Sequence, residues 1–104
     1  MKKVGLIIVL SMLSLVSCKK VKYGNAIFWQ QTGSGYGITV VFIDGISSNV
    51  TSNFGSSPSC GQSGCATFNG LEVGVHDFTA SDGTTNWSGS VSISKNNCTT
   101  TQLQ

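Results

Sequence analysis

Residues 25–104 predict a small all-β domain, an antiparallel β-sandwich of about seven short strands. Three observations carry this. Gly, Ser, Thr and Asn dominate beyond residue 18, and β-branched and aromatic residues supply most of the apolar content. Apolar or small residues alternate with serine without a break from Trp87 to Ser94, the period of a strand with one face turned to water. Turn pairs such as Asp44-Gly45, Asn69-Gly70 and Asp82-Gly83 separate the apolar runs at strand-length intervals. No stretch in this part repeats its apolar residues at helical spacing.

Ahead of the domain, Lys2 and Lys3 precede an apolar run over residues 4–16 that ends on small residues, the layout of a secretory signal peptide. The run falls short of the roughly 20 apolar residues that a helix needs to cross a hydrocarbon core. Its end, Leu15-Val16-Ser17-Cys18, resembles the lipobox of bacterial lipoproteins. That resemblance implies cleavage before Cys18, a thioether to diacylglycerol on its sulfur and acylation of the new amine. The expected organisation is a signal peptide at 1–17, a lipidated tether at 18–24 and a sandwich at 25–104. Two or three acyl chains anchor a protein stably where one does not. Lys19 is not the Asp associated with inner-membrane retention, so the resemblance favours the outer membrane, on its periplasmic or surface face.

All six basic residues are lysines, and beyond residue 18 Lys19, Lys20, Lys22 and Lys95 balance Asp44, Glu72, Asp77 and Asp82. The chain's formal charge of +2 comes from Lys2 and Lys3, and a formally neutral remainder without a basic stripe excludes nucleic acid as an expected partner. The tether lysines can lie near anionic headgroups or act as a solvated spacer.

The first strand is expected over 25–31, with Ile27, Phe28 and Trp29; Phe28 and Trp29 point to opposite faces, so one of them is expected at the surface. Three glycines within 32–37 break it. The nearly continuous apolar run 38–43 predicts a central strand, and Asp44-Gly45 a hairpin turn. A third strand follows with Ile46, Val50 and Phe54 on one face. A loop over 55–64, holding the only proline, leads to strands over 65–68, 75–80, 87–94 and 98–103. The expected core is Val40, Phe42, Ile46, Val50, Phe54, Phe68, Phe78, Val91 and Ile93, with Gly89 leaving room beside Trp87.

Leu71-Glu72-Val73-Gly74-Val75-His76-Asp77-Phe78-Thr79-Ala80 resembles the Leu-x-x-Gly-x-Tyr-x-Phe-x-Ala turn and strand of transthyretin-like and carboxypeptidase-regulatory-like sandwiches, with His76 in place of the aromatic. The run from Cys60 through Cys65 and Trp87 to Cys98 is similar to small uncharacterised exported lipoproteins. Both imply a fold of transthyretin-like or immunoglobulin-like type, and neither implies an activity.

Three cysteines remain after lipidation of Cys18, in an oxidising compartment. Cys60 with Cys65 would close a short glycine-rich loop, at roughly 2 kcal/mol; a bridge to Cys98 would contribute about 4 kcal/mol. Local encounter favours Cys60 with Cys65, which is the expectation. One distant His beside three Cys does not make a four-ligand zinc site, and no cofactor is expected. His76 and Asp77 are adjacent on a strand and face opposite ways, so His76 reads as a partly buried packing residue, and the acids are too scattered for a paired-carboxylate glycosidase. The chain is therefore expected to be no enzyme but a binding or structural module displayed on a lipid anchor, with a glycan or an envelope protein as partner and the loops 32–37, 55–64 and 81–86 as its recognition surface. The alternatives are a carbohydrate module using Trp29 and Tyr36 as stacking aromatics, with Trp87 weighed for the same part but read first as core packing beside Val91 and Ile93, and a small hydrolase using His76.

Overall fold

A computed structural model describes residues 21–104. The expected signal peptide and Cys18 lie outside the described residues. Eight strands follow in chain order among them: β1 (Tyr23–Gln31), β2 (Thr39–Ile43), β3 (Ile46–Val50), β4 (Asn53–Phe54), β5 (Ala66–Glu72), β6 (Gly74–Ser81), β7 (Asn86–Ile93) and β8 (Cys98–Leu103). They form two packed sheets, a β-sandwich. One sheet is antiparallel throughout, in the order β3-β2-β6-β7. The other is built around β1, which pairs with β5 antiparallel and with β8 and β4 parallel.

Phe28 stands at the centre of the core, fully buried, with Phe78 at 4.8 Å and Phe68 at 5.8 Å between ring centroids. Around these rings pack Val41, Ile43, Val50, Leu71, Val91, Ile93 and Leu103 from both sheets. Gly89 lies opposite Phe78 in the ladder, and a Cβ there would come within 3.0 Å of the Phe78 ring, so the room it leaves is for Phe78 rather than for Trp87.

The expected core needs correction on β2 and β3. Val41 and Ile43 face inward, Val40 is half-buried, and Phe42 and Ile46 are exposed. A continuous apolar run has no alternation to set its parity, so neighbouring strands decide: Val41 pairs with Ala80 and Ile43 with Phe78, the two buried residues of β6. The turn at Asp44 and Gly45, both at positive φ, makes Ile43 face Ile46 across the hairpin, but Ile46 lies at the open end of the sandwich where no second sheet covers it. Phe54 also parts from Val50. The strand stops after Val50, and β4 crosses to the other sheet beside Gln30 and Gln31.

That crossing builds a second, smaller core on the outer face of β1. Ile27, Trp29 and Cys65 are buried there, with Phe54 and Cys98 packed against them. The reading that one of Phe28 and Trp29 would be exposed fails because β1 is covered on both faces, by the opposite sheet on one side and by the residues around the 55–65 loop on the other.

The expected bridge between Cys60 and Cys65 is likewise corrected: Cys60 bonds Cys98, with their Cα atoms 6.2 Å apart, and Cys65 is a free, buried thiol. Cys65 immediately precedes β5 and turns inward onto Trp29, whereas the loop carries Cys60 along β1 to the first residue of β8. Sequence proximity lost to the direction of the side chains. Burial pushes the Cys65 thiol above its ordinary pKa, so at neutral pH it is an inert packing residue.

Candidate binding surface

The two ends of the sandwich differ. At one lie the start of β1, the β2–β3 turn and the β7–β8 turn; at the other lie the 32–38 loop, the 82–85 turn and the C-terminus. Asp82 organises the second end. Its Oδ1 accepts from the backbone N–H of Thr84 at 2.9 Å and Thr85 at 2.6 Å, and its Oδ2 accepts from the N–H of Gly37 at 3.3 Å. The N–H of Thr85 first, then that of Thr84, draws the Asp82 carboxyl below its usual pKa. One carboxylate thus ties two loops together. The carbonyl of Gly37 accepts from Gln30 Nε2 and Thr39 Oγ1, both at 3.2 Å, which fixes the far side of the same loop.

This scaffold sets Tyr36 edge-on against Trp87, with centroids 4.8 Å apart and planes at 88°. Trp87 Nε1–H donates to the carbonyl of Gln104 at 3.1 Å. Both rings are half-buried, so each keeps an accessible surface. A groove of about 410 Å³ opens beside Trp87, lined by Phe42, Thr79, Ser81, Asn86 and Ser88. A second of about 400 Å³ opens beside Tyr36, lined by Gln31, Thr32, Ser34, Gln102 and Gln104. None of these lining side chains is charged. Phe42 stands out on the outer face of its sheet, paired with Ser47 on one side and Thr79 on the other. The arrangement is of apolar rings set among hydroxyl and amide groups.

Of the aromatics predicted to face a ligand, Tyr36 is at this end and Trp29 is not, being 6% exposed beneath the 55–65 loop. Trp87 accompanies Tyr36 and also packs against the main core, as its place beside Val91 and Ile93 led one to expect. Phe42 went unrecognised because its place in an apolar run reads as core, and the linking role of Asp82 went unrecognised because it depends on Gly37, far away in sequence.

His76 lies at the opposite end. Its Nδ1 is 2.7 Å from Asp44 Oδ2 and its Nε2 is 2.6 Å from the carbonyl of Glu72. Asp77, its neighbour in sequence, is not its partner; Asp44 reaches it because the β2–β3 turn lies alongside β6. Two acceptors satisfy two ring donors, so the imidazolium is the favoured form, and neither nitrogen is left with a free lone pair for proton abstraction. The Glu72 carbonyl first, with Asp44, raises the His76 pKa above 6.5, against a lowering by burial. The sign follows from linkage: a group that holds its proton more tightly when folded stabilises the fold below the unfolded pKa, and that contribution fades as pH rises through the folded pKa. Thermal melting of the chain is expected to shift downward as pH increases from about 6 upward past the ordinary histidine pKa of about 6.5, and the shift should vanish in His76→Ala. An identical pH profile in the variant would show that His76 is not its source.

Among the described residues, no group of three His, Cys, Asp or Glu side chains is placed to hold a metal ion, and no helix is long and apolar enough to cross a membrane. No family model matches the chain. No match is found among curated proteins.

Proposed function

We propose that residues 18–104 form a non-catalytic binding module of the bacterial cell envelope, anchored through lipidated Cys18 in the outer membrane, that presents the Tyr36–Trp87 end to a neutral glycan. The observation that carries the reading is the edge-to-face aromatic pair between two grooves lined by the uncharged side chains of Ser, Thr, Asn and Gln. A sugar ring has an apolar C–H face and a rim of hydroxyl groups; rings with hydroxyl and amide side chains at their edges complement both. The tether enters at Tyr23, at the end of the sandwich away from these grooves, which leaves them open to an approaching chain. The lipobox-like Leu15-Val16-Ser17-Cys18 supports the anchor, and the likeness of residues 71–80 to transthyretin-like sandwiches agrees with a small exported module. A hydrolase built on His76 finds less support, since both ring nitrogens are engaged by Asp44 and Glu72.

A glycan array probed with the lipidated protein in nonionic detergent tests the reading, together with intact-mass analysis of the membrane fraction for acylated residues 18–104. Tyr36→Ala is expected to weaken glycan binding about tenfold, as a ring contact is worth up to about 1.5 kcal/mol beyond its buried area. His76→Ala should leave binding unchanged. Binding that survives Tyr36→Ala and Asn86→Ala, or hydrolytic turnover that vanishes in His76→Ala, would overturn the proposal.

A further inference from the structure

Five of the seven large apolar side chains exposed among the described residues gather at the tether end: Val21, Tyr23, Ile46, Val73 and Val75. Backbone hydrogen bonds lock their carriers together. The carbonyl of Lys22 accepts from the N–H of Val73 at 2.9 Å, and that of Tyr23 from the N–H of Asn96 at 3.0 Å, joining the tether to the β5–β6 corner and the β7–β8 turn. The contact between Asp44 and His76 brings the β2–β3 turn, with Ile46, to the same end. Lys22 and Lys95 are exposed beside the apolar residues. Of the acids near this end, Asp44 is paired with His76, while Glu72 and Asp77 are exposed and balance the two lysines, so the apolar side chains distinguish this end rather than its net charge.

We infer that this end is a membrane-docking surface: the sandwich sits with Val73, Val75 and Tyr23 in the headgroup and acyl boundary and Lys22 and Lys95 on lipid phosphates. The inference rests on the proposed anchor at Cys18 and goes beyond it, because an anchor alone leaves the domain free to swing. Cys18 is three residues from Val21, and an extended chain spans at most about 3.5 Å per residue, so the patch starts within about 10 Å of the lipidated residue. Interfacial apolar side chains bury to about 5 to 10 Å, so the reach of the tether and the depth of the interface agree. Tyrosine and lysine suit that boundary, with an apolar body and a polar tip that remains in water. Docked in this way, the Tyr36–Trp87 end faces away from the bilayer.

The test uses the full lipidated protein in vesicles of phosphatidylethanolamine and phosphatidylglycerol with brominated acyl chains. Indole emission is quenched by bromine only when the ring enters the acyl boundary. Val75→Trp and Val73→Trp change exposed positions, and their added emission is expected to be quenched; Ser88→Trp, near the other end, should show no quenching beyond that of the parent. If the protein floats with the vesicles and carries its acyl mass while tryptophans at 73 and 75 are quenched no more than one at 88, the docking surface is overturned and the anchor stands. A protein that carries no acyl mass and does not float overturns the anchor reading, and this inference with it.

Discussion

Phe28→Ala is expected to remove about 3 to 5 kcal/mol of stability, enough to unfold a domain of this size at ordinary temperature. Phe28 is fully buried, it is the ring on which Phe68 and Phe78 both pack, and it belongs to the strand that pairs with three others. Its removal leaves a cavity that β1 cannot collapse to fill, because the strand is held by ladders on both sides. Phe42→Ala is the comparison that gives the result meaning. The same deletion on an exposed ring should stay within about 0.5 kcal/mol. Urea unfolding of both variants followed by far-ultraviolet circular dichroism decides the matter, and equal losses would mean that β2 is in the wrong register.

Replacing both Cys60 and Cys98 with Ser should cost about 4 kcal/mol, the chain-entropy value for a loop closed across a sequence separation of 38. The double replacement is needed because Cys98→Ser alone would free Cys60 to pair with Cys65. The bridge joins the loop that covers Ile27 and Trp29 to the start of β8, so its loss should also loosen the smaller core, visible as a red shift of tryptophan emission. Non-reducing peptide mapping of the parent should recover a peptide linking Cys60 to Cys98, with Cys65 alkylated only after denaturation. Recovery of a Cys60–Cys65 peptide would reverse the assignment.

The difference between the two phenylalanines explains how much of the fold was legible. On β7, serines mark one face and Val91 and Ile93 the other, and both are buried as expected. Asp44-Gly45 and Asp82-Gly83 marked turns in the same local way, but Asn69-Gly70 did not end its strand: β5 runs through it to Glu72, and the pair forms a bulge opposite Asn25 with Gly70 at positive φ. On β2 the apolar run carried no such mark, so Phe42 and Val41 exchanged roles. On β1 the alternation was equally uninformative, for a different reason: both of its faces are buried, and Trp29, a candidate stacking residue, became part of a covered core.

The candidate surface divides along the same line. Loops rich in glycine, serine and threonine at 32–37 and 81–86 were visible as recognition candidates because turn chemistry is local, and Tyr36 was visible within the first. The partnership of Tyr36 with Trp87, of Asp82 with Gly37, of His76 with Asp44 and of Cys60 with Cys98 was not. By itself the sequence determined the β class, the turns at Asp44-Gly45 and Asp82-Gly83 and the inward face of β7, since each depends on residues within about ten positions of one another. Only the tertiary structure decided which face of an all-apolar strand turns inward, which cysteine a thiol meets and which rings share a surface, because those depend on register and strand order, and partners 32 or 38 residues apart are brought together by pairing that no local pattern specifies.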